Sequence, residues 1–237
     1  MNLTVASLTL RSLLGRKRVW LLVPLPLVLI GLTVLGRVQD PILSDWVQPI
    51  VQGLGFAVVV PVMALIIGAS VVGSEIDDGT IVHILTKPLP RREILLAKLV
   101  VAAAVTAVTT GVTMFVTGVI ATDSRFGVGL AVGAVVASLC YCALFVALSL
   151  MSRRPVLLGL VYILLWEGLL THVFNSGGVI SIEAYAVTFA DHIGGGGLLD
   201  TTVSMTTAII MGLVVLAGFA WLGIDRLKAF TVAGETS

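Results

Sequence analysis

Few residues in this chain are equipped for chemistry. Glu167 is the one charge inside a long apolar run, Val156 to Phe174. An ionised acid in mid-membrane costs roughly 2.5–3.5 kcal/mol on insertion scales, so its retention demands a reason. Counted from Val156 it sits roughly 18 Å along a helix at about 1.5 Å per residue, beyond the midplane. Two readings follow. It is a pathway residue that contacts cationic cargo or carries a proton, or it is a packing acid, bonded to a neighbouring helix or protonated. Trp166, Tyr162 and His172 share its segment and could line a cavity with it; aromatic residues in spans also serve as packing groups and interfacial anchors. The three histidines, His83, His172 and His192, are scattered, and no pair has helical metal-ligand spacing. No Gly-x-Ser-x-Gly elbow accompanies the serines, so hydrolase chemistry has no frame. Cys140 and Cys142 point to nearly opposite sides of a helix and read as buried, unpaired thiols.

A second group of residues is suited to contact rather than catalysis. The stretch SEIDDGTIVHILTKPLPRREILLAK runs from Ser74 to Lys98. Its acids come first, at Glu75, Asp77 and Asp78, and Gly79 permits a turn. Thr80 to Leu85 can form a short helix, which Lys87-Pro88-Leu89-Pro90 ends. Pro90 suits the first turn of the next helix. Ile81, Val82, Ile84 and Leu85 lie between long apolar runs rather than in one, and that patch needs a partner.

The elements that position these residues are membrane helices. Of 237 residues, 58% are hydrophobic and 11% charged, too few charges to coat a soluble globule. The net charge of +1 gives no field for nucleic acid. Apolar runs predict six spans at about 19–36, 51–73, 99–121, 126–151, 156–174 and 201–224, each near the roughly 17–25 residues needed to cross hydrocarbon. Lipid offers no partners to backbone groups, so the spans must be helices. The fold class is therefore all-α integral membrane, one transmembrane domain over residues 1–237. Arg16, Lys17 and Arg18 precede the first run as in a signal peptide, but no small-x-small site ends it, and it reads as retained. Pro24 and Pro26 should bend its first half.

Of the 14 Lys and Arg, all but Arg37 and Arg125 fall on one side of this arrangement. That side is cytoplasmic, with both termini and the loops after spans two and four. Residues 2–15 place Leu3, Ala6, Leu10, Leu13 and Leu14 on one face and read as an interfacial helix. Residues 175–200 form an outer insertion. Ile182, Tyr185, Ala186, Phe189 and Ile193 make an amphipathic stripe there, with Glu183, Asp191 and His192 mostly off it. Gly194 to Gly197 must break that helix. Gly129, Gly133 and Ala137 form a small-residue stripe on span four, which lets helices approach closely in lipid.

The stretch after span two resembles the cytoplasmic loop of ABC-2 type permeases, the membrane subunits of bacterial ATP-binding-cassette exporters. The matching residues are Glu75, Gly79-Thr80, Ile84-Leu85, Pro88, Arg91, Glu93-Ile94-Leu95-Leu96 and Lys98. Pro90 stands where a Ser is common, and Ala97 where a Gly is common. The layout of interfacial helix, six spans and outer insertion is similar to the family's exporter fold. The resemblance implies that Glu75, Gly79, Thr80, Ile81, Ile84, Leu85, Pro88 and Arg91 belong to a coupling helix that docks on a separate ATPase. It implies two ATPase copies, which carry ATP and Mg, and a second permease subunit, identical or related. It implies a bacterial cytoplasmic membrane and movement of a lipophilic or amphipathic cargo outward. The sequence has no Gly-x-x-x-x-Gly-Lys-Ser/Thr loop, so no cofactor is expected on this chain and it is not expected to be an enzyme. Two alternatives remain: a secondary transporter driven by an ion gradient through Glu167, and a permease of the same family serving an assembly or maturation complex.

Overall fold

The computed structural model describes residues 22–39, 43–77, 91–152, 154–170, 177–195 and 197–229. Among these residues there is helix and no strand. Helix α1 covers Pro24–Gln39. The bend expected at Pro24 and Pro26 falls at the start of this helix, which begins at Pro24. Both prolines then lie in the first turn, where a missing N–H leaves no bond unmade.

Helix α2 has three stretches, Leu43–Val47, Gln48–Val59 and Val60–Asp77. The middle one has wide π-type turns, closed by the Val60 N–H bonding to the Gly55 carbonyl. Helix α3 is Arg91–Ala121 and α4 is Ser124–Met151. A tight turn joins them, and Asp123 caps α4 by accepting from the Phe126 N–H at 2.8 Å. Helix α5 begins as Pro155–Val161 and continues as a wide-turn stretch, Tyr162–Leu170. A short 3-10 turn, Gly177–Ile180, leads into α6, Ile182–Gly194. Helix α7 is Met205–Ala229.

Among the described residues, four helical stretches are long and apolar enough to cross a membrane: Asp45–Val71, Leu95–Ala121, Ser124–Met151 and Met205–Arg226. Two shorter apolar helices, Pro24–Gln39 and Pro155–Leu169, accompany them. The first and fifth expected spans are thus shorter helices among the described residues. The interfacial helix expected at residues 2–15 lies outside them.

Helix α4 forms the core, packed against α2, α3, α6 and α7. Small residues permit this. A Cβ on Gly129 would collide with the Ala190 carbonyl, and one on Gly133 with the Ala186 carbonyl. The stripe seen in the sequence is therefore the seat of α6. A hydroxyl seam joins α3 to α4: Thr110 and Ser138 share a hydrogen bond of 2.9 Å, and the Cys142 thiol donates to Thr106 at 3.3 Å. Both cysteines are buried and unpaired.

The connections gather at one end of the bundle. The Gln48 side chain donates to Asp200 at 3.0 Å, and Gln52 bonds the Asp200 backbone in both directions. Arg125 donates to the Ile193 carbonyl at 3.4 Å. At the other end, a Cβ on Gly223 of α7 would meet Leu95 of α3 and Leu150 of α4.

Candidate functional site

The Glu167 carboxyl is buried, at 1% exposure. Three elements converge on it. From α4, the Tyr141 hydroxyl donates to Oε1 at 3.1 Å. From α5 itself, the Tyr162 hydroxyl donates to Oε1 at 3.3 Å. From the start of α6, the Ile182 N–H donates to Oε1 at 3.0 Å and the Ser181 hydroxyl to Oε2 at 2.5 Å.

Local sequence explains the third contribution. Ser181 precedes the apolar stripe of α6 and is its N-cap, accepting from the Ala184 N–H at 3.1 Å while it donates to Glu167. The helix end supplies free N–H groups and about half a positive charge, which favours an anion there. Aromatic rings wall the site. Tyr141 stacks on Phe145 at 5.9 Å, Phe145 meets Tyr162 edge-on at 6.4 Å, and Tyr162 stacks on Trp166 at 6.4 Å. The Trp166 indole N–H reaches the Ile180 carbonyl at 3.5 Å.

Of the residues singled out on this span, Glu167, Tyr162 and Trp166 come together. His172 lies outside the described residues. Tyr141 and Ser181 complete the site without having been singled out. Ser181 carried a readable signal, a cap residue before a helical stripe. Tyr141 carried none, being one aromatic in a long apolar run.

The arrangement gives the Glu167 carboxyl four hydrogen-bond partners and fastens α6 to α5 and α4. A cleft of about 110 Å³ lies beside it, lined by Gln52, Ser181, Glu183, Asp200 and Thr202 among others. Glu183, expected off the buried stripe, is only 9% exposed. Among the described residues no group of three or more His, Cys, Asp or Glu could hold a metal ion.

Of the coupling residues, Glu75 lies in the last turn of α2 and Arg91 opens α3. Gly79, Thr80, Ile81, Ile84, Leu85 and Pro88 lie outside the described residues. Lys98, on the same segment of sequence, is buried in α3 at 4% exposure.

No curated protein matches this chain. Residues 33–188 match the model of a family described as ABC-2 family transporter protein, a range that includes both Glu167 and the stretch from Ser74 to Lys98. With that match over most of the chain and several apolar helices long enough to cross a membrane, the chain belongs to the ABC-2 transporter family, as a multi-pass membrane permease of an ABC-type system.

Proposed function

We propose that this chain is the membrane-spanning subunit of an ABC exporter, driven by ATP hydrolysis on a separate ATPase. Six helices cross the membrane, with α1 and α5 completing the four longer ones. Both termini and the 74–98 loop face the bacterial cytoplasm. The lysine and arginine bias supports this, since Arg37 and Arg125 are the exceptions and Arg125 lies at the end of the bundle that carries α6.

Two ATPase copies close on ATP and Mg, and coupling helices carry that motion into a pair of permease subunits, identical or related. The cargo is lipophilic or amphipathic and moves outward. The observation that carries the reading is the family match across residues 33–188, which includes the loop where Ile81, Val82, Ile84 and Leu85 form an apolar patch. Glu167 serves first as an anchor for α6. Its carboxyl already accepts four hydrogen bonds, which leaves little capacity for the shuttling that a gradient-driven transporter needs.

The test is the double change Ile84→Ser with Leu85→Ser. Burying one such side chain is worth roughly 1.5–3 kcal/mol. Losing two should weaken ATPase association by several tenfold steps, each about 1.4 kcal/mol. Membrane insertion should survive, because the apolar spans are untouched. Retention of both the ATPase and cargo-coupled ATP turnover in intact membranes would remove the coupling reading.

A further inference from the structure

We propose that the cleft between α6 and the loop before α7 is a binding site for a primary ammonium group, held by Glu183, Asp200 and Thr202. The cleft is separate from the coupling loop and adjoins the Glu167 bonds through Ser181.

Two acids lie at the start of α6, and the helix end needs only one. Its first free N–H and its capping hydroxyl are met by Glu167, which accepts from Ile182 and Ser181. Glu183 is surplus. It is 9% exposed, lines the cleft, and among the described residues its carboxyl has no hydrogen bond or ion pair. A negative charge on that carboxyl is costly until something positive arrives, so the empty site favours the neutral acid. Asp200 faces the same cleft and adds a second negative charge, with one of its oxygens bonded to Gln48.

The donor count selects the ligand. Gln52 is occupied by the Asp200 backbone, and Ser181 by Glu167 and Ala184. Three oxygen-bearing groups remain: the Glu183 carboxyl, the Asp200 carboxylate and the Thr202 hydroxyl. An –NH3+ group has three donors and no acceptor, which suits them. A hard divalent ion wants six to eight oxygens and would find two carboxylates. A space of about 110 Å³ also exceeds a bare ion and accepts a small alkylammonium head.

Burial, and then the charge of Glu167, push the Glu183 carboxyl up to about 8. The titratable groups around it are Glu167 on α5, Tyr141 on α4 and Asp200 across the cleft. At pH 7 the empty site therefore holds a proton, and an ammonium must displace it. Binding should release close to one proton and strengthen as pH rises toward 8.

The test is calorimetric titration of the full chain, with its copurifying ATPase, in detergent free of aminolipid. Ethylammonium is the probe, run at pH 7 in two buffers of different ionisation enthalpy. Tetramethylammonium, which has the charge but no N–H, should bind at least tenfold more weakly. Glu183→Gln should weaken ethylammonium at least tenfold and abolish proton release, and Asp200→Asn should weaken it several-fold. If Glu183→Gln does not fold, Asp200→Asn alone carries the comparison, since Asp200 is exposed.

The ammonium could come from a free amine or from a phosphatidylethanolamine headgroup. Repeating the titration in nanodiscs distinguishes them. Apparent affinity lower in phosphatidylethanolamine than in phosphatidylcholine identifies the lipid, and equal affinity identifies the free amine. Silence toward ethylammonium, equal binding of tetramethylammonium, binding of calcium alone, or binding unchanged in the variants would overturn the proposal.

Discussion

Helices α4 and α7 are nearly equal in length and mean hydropathy, yet the structure uses them in opposite ways. In its most apolar window α4 is 72% buried within the protein, and α7 only 17%. The difference lies in their small residues. A Cβ on Gly127, Gly129 or Gly133 of α4 would collide with backbone of α3 or α6. On α7, a Cβ on Gly212 or Gly218 would meet nothing within 4 Å. Leu213, Val214 and Trp221 of α7 point outward, and in a membrane that surface faces lipid or another subunit. Apolarity thus selects the membrane as solvent, while close backbone approach selects the neighbour.

The sharpest way to break this contrast is to place the same bulk on both helices. Gly133→Leu drives a side chain into the Ala186 backbone, which cannot swing aside as a side-chain tip can. Overpacking of this kind costs typically 1–3 kcal/mol and here should reach at least the upper end. Gly218→Leu meets open space and should shift stability by less than about 0.5 kcal/mol. Thermal unfolding of both variants in detergent checks the pair. Equal losses would mean that α7 is as closely packed as α4.

The Glu167 site sharpens the comparison, because α6 is held to α4 by glycine contacts along its length and by this carboxyl at its start. Glu167→Gln keeps the shape but replaces an acceptor oxygen with an NH2 donor facing hydrogen-bond donors. Leaving a buried donor without its acceptor costs about 1–3 kcal/mol, so a net loss of about 2 kcal/mol is expected after local relaxation. Unfolding measurements and cargo transport should be run side by side. Lower stability with proportionate transport supports the anchoring role. Unchanged stability with altered transport would return Glu167 to the pathway.

Much of this was legible in the sequence, and the misses have physical causes. The α6 stripe was readable in part: Ile182, Tyr185 and Ala186 are buried, Phe189 and Ile193 are half-buried, and Val187, Thr188 and Ala190, off the stripe, are buried too. The break at the glycine run was also readable. Gly195 and Gly197 adopt φ of 67° and 56°, and the Gly195 N–H bonds back to Asp191. Glu183 was misjudged because helical periodicity describes one element alone. The residue lines a cleft with Asp200 and Thr202, and Gln48 and Gln52 hold Asp200 from 152 and 148 positions away in sequence. The wide turns at Gln48–Val59 and Tyr162–Leu170 have no composition of their own, since an apolar run fits either helix pitch. For the same reason α5, read as an ordinary span, changes pitch before it reaches Glu167.

The smallest expected effect concerns the hydroxyl seam between α3 and α4. Thr106, Thr109, Thr110, Thr113 and Thr117 each return a hydrogen bond to a carbonyl four residues earlier, so most of their hydroxyl capacity is spent within α3. Only Thr110 with Ser138, and Thr106 with the Cys142 thiol, reach across to α4. Interhelical hydrogen bonds in membrane proteins average about 0.6 kcal/mol, because the separated helices also find partners. Thr110→Val, which keeps the branched shape, and Ser138→Ala should therefore show a coupling near that value in a double-mutant cycle. The glycine contacts, not the hydroxyls, would then dominate the seating of α4. A coupling above about 2 kcal/mol would reverse that order and make the polar seam the principal tie between these two helices.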